Sequence, residues 1–174
     1  MNLREIISSE MSRSNTDYVR EIILQNPGLF NEAFELVILN EEPVSRRAIW
    51  ALDAISEANP SLMQPHIGQL IDIFQYFKHD GLKRHTLRIL SRYDIPEDKE
   101  VEVLETCFRF LQSEKESIAA RFFAMEILYN LSEKEKDLKH ELLAVLEFLP
   151  ETSSPGLKNH VSKLIFKLKK ETNS

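Results

Sequence analysis

The chain has 174 residues, 43% of them apolar, which is enough to bury a sizeable core in one domain. Four glycines and one cysteine argue against a turn-rich β fold and exclude a GxGxxG or GxxxxGK(S/T) phosphate loop, an internal disulfide and a Cys-rich zinc site. The net charge of −6 disfavours general nucleic-acid binding, yet residues 44–92 carry +3 against −5 for 1–43, −8 for 93–153 and +4 for 154–174.

In chain order, apolar residues at helical spacing predict helices over 2–11 and 15–25, the second opened by Ser14-x-x-Asp17 read as a capping box. Asn26-Pro27 and Glu42-Pro43 bound a helix over 28–40, and the next runs over 43–57 with Ile49, Leu52 and Ile55 on one stripe. Asn59-Pro60 sets a capping side chain before a proline at the first helical position and opens 60–78, with Leu70, Ile71, Phe74 and Phe77 inward. Helices over 81–93, 97–112 and 116–131 follow, with Ile95-Pro96 at one junction and Leu104, Cys107, Phe108 and Leu111 as an apolar stripe. Ser132-x-x-Glu135 reads as a capping box for 134–149, and Ser154-Pro155 opens 155–170. No segment alternates with period two. Short connections make consecutive helices antiparallel neighbours.

The helices repeat. AIWALDAI (48–55), TLRILSRY (86–93), AMEILYNL (124–131) and VSKLIFKL (161–168) align at offsets of 38, 38 and 37. The fifth position holds Leu52, Leu90, Leu128 and Ile165, and the eighth holds Ile55, Tyr93, Leu131 and Leu168. One helical pair cannot bury its apolar stripe alone, so pairs stack. The segment Asn40-Glu41-Glu42-Pro43-Val44-Ser45-Arg46-Arg47-Ala48-Ile49-Trp50-Ala51-Leu52 resembles the HEAT signature of an acidic turn with proline, then Val, Arg, small residues and Leu. HIGQLIDIFQYFKHDGLKRHTLRIL (66–90) resembles the next unit, with Asp80 in the turn and Arg84 in the basic position, while later units match in apolar pattern only. The resemblance implies an all-α fold, a right-handed α-solenoid of about five stacked helical hairpins, forming one domain over 1–174. Residues 1–27 supply N-terminal capping helices and 28–170 supply four repeats.

Catalytic and metal constellations are not found. His140-Glu141 begins an HExxH pattern, but Ala144 stands where the second ligand belongs. His79 and His85 read as surface residues, Cys107 as a core residue, and the acids of 97–105 as a helix start favoured by the helix dipole. The reading therefore expects no cofactor and no enzyme. The first twenty residues carry charges at 4, 5, 10, 13, 17 and 20, which disfavours a signal peptide. No apolar run approaches the roughly 20 residues of a membrane span. A cytoplasmic protein without membrane contact is expected.

The basic segment supplies the candidate surface. Arg46, Arg47, Trp50, Arg84, His85, Arg88 and Arg92 fall on the second helices of two adjacent repeats. At offset 38, Arg46 lies over Arg84, Arg47 over His85 and Trp50 over Arg88. In HEAT proteins such helices line a concave, partner-binding face, so the resemblance implies an interaction module for a protein or acidic peptide. Pairing of Arg46 and Arg84 with Glu42 and Asp80 is the competing structural role. The alternative function is a nucleic-acid enzyme, because some DNA glycosylases for alkylated bases resemble HEAT stacks and use an Asp with aromatic residues. Asp53, one turn from Trp50, and Tyr129 are the residues that reading would use.

Overall fold

The computed structural model describes residues 2–150 and 154–173. Among these, all regular structure is helical. The chain forms two compact units, Met1–Asp94 and Ile95–Ser174.

The first unit contains α1 (Leu3–Ser9), α2 (Arg13–Gln25), α3 (Leu29–Ile38), α4 (Val44–Ala58), α5 (Pro60–Met63), α6 (Ile67–Phe74) and α7 (Asp80–Leu90). The hairpins α1/α2, α3/α4 and α5–α6/α7 stack so that α4 packs against α2 on one side and α7 on the other, while α1 contacts α3. Ile23, Phe34, Val37, Ile49, Leu52, Ile55, Leu70 and Phe74 are at most 1% exposed. Each such side chain contributes roughly 1.5–3 kcal/mol by leaving water. Asn40, at φ 52°, ends α3 in the left-handed region that Asn tolerates.

The second unit contains α8 (Glu100–Gln112), α9 (Ile118–Ser132), α10 (Lys136–Glu147) and α11 (Pro155–Thr172). The hairpins α8/α9 and α10/α11 meet through α9, which packs against α8, α10 and α11. Val103, Cys107, Leu111, Ala124, Leu128 and Leu142 are fully buried. These are the stacked helical hairpins that the 38-residue periodicity predicts.

Several local expectations are corrected. Ser12, not Ser14, caps α2 by accepting the Asn15 N–H at 3.0 Å, and Asp17 pairs with Arg13 instead. Ser132 is buried at the end of α9 and donates to the Tyr129 carbonyl, so it caps nothing downstream. The helix read over 60–78 breaks into α5, a 3-10 turn over Gln64–His66 and α6. Pro65 lacks the N–H a continuous helix needs there. On α8 the buried stripe is Val103, Thr106, Cys107, Phe110 and Leu111, with Leu104 and Phe108 only half-buried. Ile165 is likewise half-buried, and α11 turns Leu157, Leu164 and Leu168 inward.

Candidate functional site

The seven candidate residues lie on α4 and α7, which pack side by side, and in the turn after α7. The start of α7 approaches α4 closely because position 81 is glycine. A Cβ there would stand 2.9 Å from Arg46 Cδ and 3.0 Å from Arg46 Cγ. The Arg46 Nε donates to Glu42 at 3.0 Å, one turn earlier on its own side of the hairpin. His79 Nε2 stands 4.0 Å from the same Glu42 carboxylate, while its Nδ1 accepts the Gly81 N–H and caps α7. Arg46 therefore has the turn-acid role that competed with partner binding. Arg84 does not pair with Asp80.

The centre of the surface is organised by a residue that the basic pattern did not single out. Asp53 is 2% exposed and faces α7. Its Oδ2 lies 2.7 Å from His85 Nδ1 and 3.5 Å from an Arg88 terminal nitrogen. Its Oδ1 accepts from Arg92 at 2.6 Å. Arg92 also donates to the Ser56 hydroxyl and the Asp53 carbonyl. A carboxylate only accepts, so the Nδ1 of His85 carries the proton in this contact. Burial pushes the Asp53 carboxyl upward, but the hydrogen bonds from His85 and Arg92 and the Arg92 charge outweigh it. The net effect holds Asp53 below the usual carboxylate range.

Glu57, one turn further along α4, takes Arg88 at 2.9 Å and Arg92 at 3.6 Å. Arg88 and Arg92 are thus neutralised by acids of the neighbouring helix. The indole of Trp50 stacks on His85 with ring centroids 6.2 Å apart and planes 22° apart. Offset counting placed Trp50 over Arg88. The ring meets His85 instead, and Arg88 pairs with Asp53 and Glu57.

Arg47 and Arg84 remain. Arg47 donates to the Ser8 carbonyl, and Arg84 makes no hydrogen bond or ion pair among the described residues. The Nε atoms of both are buried without a hydrogen-bond partner. Arg47 lies one turn before Trp50 on α4, and Arg84 immediately precedes His85 on α7. Arg47 and Trp50 also wall a small crevice with Ile7, Met11 and Val19. The sequence signal for Asp53 was present, since a lone acid interrupts the apolar run AIWALDAI. Its partners lie 32, 35 and 39 residues away, and none of those separations is the repeat offset.

Elsewhere, Cys107 is wholly buried among apolar side chains, which pushes its thiol up and away from reactivity. Tyr129 donates to Glu171 at 2.9 Å beneath the Lys167 ammonium, so it is tied into the α9–α11 packing. Among the described residues, no helix is long and apolar enough to cross a membrane.

Stacked helical hairpins with equivalent inward positions define an α-helical repeat protein. A family model described as a HEAT repeat domain matches residues 3–168, and the chain belongs to that family. No curated protein and no solved structure matches the chain. The protein is a helical-repeat scaffold of the interaction-module class.

Proposed function

We propose that the α4/α7 face binds an acidic segment of a partner protein, with Trp50 as its apolar anchor and Arg47 and Arg84 as its cations. The observation that carries this reading is the division of labour among the arginines. Arg46, Arg88 and Arg92 are occupied by Glu42, Asp53 and Glu57, while Arg47 and Arg84 have no carboxylate among the described residues and keep orphaned Nε–H groups. An unsatisfied buried donor costs about 1–3 kcal/mol. That cost sits on Nε atoms closed to solvent, so a partner carboxylate would meet the outer guanidinium nitrogens, and its gain would be charge pairing with two cations that have no carboxylate of their own among the described residues. Trp and Arg are the side chains most enriched at interface hot spots.

The reading assigns no reaction to this surface. Asp53, the carboxylate a nucleotide-processing role would need, is 2% exposed and held by His85, Arg88 and Arg92. A substrate would reach it only after those bonds broke.

The test is an affinity measurement with a fluorescently labelled acidic peptide against wild type, Arg47→Glu/Arg84→Glu, and Arg109→Glu as a control in the other unit. The double reversal weakens binding by at least about tenfold with little change in melting temperature. The control leaves affinity unchanged. Equal affinities for wild type and the double variant would remove this surface from consideration.

A further inference from the structure

The second unit holds a pocket with a cavity volume of about 140 Å³, separate from the surface above. Arg121 of α9, Leu146 at the end of α10, Leu149 just beyond it, and Leu157, Lys158 and Val161 of α11 line it. Arg121 is 5% exposed, and its Nε donates to the Leu111 carbonyl at 3.0 Å. That bond fixes the plane of the guanidinium. Among the described residues no carboxylate pairs with Arg121, and its terminal nitrogens have no hydrogen-bond partner. Those nitrogens are not sealed in the core. Arg121 is one of the residues that line the pocket.

A guanidinium stays charged at all accessible pH values, and burying it without a counter-charge is costly. The walls around it are mainly Leu and Val side chains. The exposed Lys158 adds a second positive charge at the rim, at the N-terminal end of α11 where the helix dipole is also positive. A planar pair of N–H donors set in an apolar cup fits one planar anion carrying an apolar body.

We propose that this pocket binds a small monocarboxylate with a branched or aromatic body, its carboxylate on Arg121 and its body against Leu146, Leu149, Leu157 and Val161. The size agrees, since an engineered apolar cavity of about 150 Å³ accepts a benzene ring. A dianion would leave a second charge against the apolar wall. The same chemistry is offered by a free acid or by the C-terminal residue of a peptide chain, and the probes separate these sources.

The experiment is a 1H–15N NMR titration of the full chain with benzoate, 4-methylpentanoate, benzamide, and a short peptide ending in Leu with a free or amidated terminus. Both acids shift the Arg121 side-chain and early α11 resonances saturably, and benzamide binds about tenfold more weakly because it carries no charge to meet the guanidinium. Val161→Phe fills the pocket while leaving Arg121 in place and abolishes the shifts. Lys158→Gln, an exposed change, weakens them severalfold without altering the fold. Tighter binding of the free-terminus peptide assigns the site to a chain end, and tighter binding of the free acids assigns it to a small molecule. The proposal is overturned if neither acid gives a saturable shift, if benzamide binds equally well, or if Val161→Phe binds undiminished. Arg121 is then a buried structural arginine whose role is its bond to the Leu111 carbonyl.

Discussion

Replacing Asp53 with Asn keeps the side-chain shape and deletes the charge at the centre of the α4/α7 contact. Asp53 is 2% exposed and accepts from His85 at 2.7 Å and Arg92 at 2.6 Å. Breaking a buried ionic network by removing one partner costs about 3–5 kcal/mol. Here the cations are only partly withdrawn from water, with 26% of the Arg92 side chain and 43% of Arg88 exposed, and Glu57 remains beside both. The expected loss for Asp53→Asn is therefore about 2–3 kcal/mol, read by urea unfolding followed through Trp50 fluorescence. Because the folded carboxyl lies below its ordinary value of 3.8, folding favours the ionised form. That stabilisation is complete above the unfolded value and is lost as pH falls through the lower folded one. The gap between wild type and variant is thus widest near neutral pH and closes on the acid side of 3.8. A loss below about 1 kcal/mol at neutral pH, or a gap that persists unchanged into acid, refutes the network as drawn.

Leu128→Ala, at a position with no exposure, costs about 2–5 kcal/mol, whereas Lys136→Ala on an exposed face stays within roughly 0.5 kcal/mol. Paired denaturation curves distinguish the two, and equal effects would refute the repeat register. Gly68→Ala meets nothing within 4 Å and stabilises α6 by about 0.4–1 kcal/mol. Gly81→Ala loses that gain to a 2.9 Å approach to Arg46 Cδ, and differential scanning calorimetry reads both. Cys107 resists thiol-specific reagents at neutral pH and reacts only on unfolding, and rapid labelling of the native protein would contradict its burial.

The repeat was legible in the sequence because each inward position must be apolar in every unit. Leu52, Leu90 and Leu128 are all buried at spacings of 38. Ile165 follows at 37 and is only half-buried, because α11 rotates to bury Leu164 and Leu168 instead. Helix starts were less legible. Ser8, Ser9, Ser12 and Ser14 crowd one stretch, and only the backbone path decides that Ser12 accepts the Asn15 N–H. Pro65 was masked by apolar residues that kept helical spacing on both sides of it. On the surface, the arginines were visible as a cluster of charge. Which of them are neutralised depended on Asp53 and Glu57 reaching across to α7 at separations unrelated to the repeat, and only the packed helices reveal that.

The central claim is that an acidic partner docks on Trp50 between Arg47 and Arg84. Trp50 is the sole tryptophan, so the protein shows one indole N–H resonance in a 1H–15N spectrum. Adding an acidic peptide at low salt should move that resonance saturably, together with the Arg47 and Arg84 side-chain signals, and raising the salt should reverse the shift as the charges are screened. Saturable shifts elsewhere with the indole resonance unmoved would contradict the account.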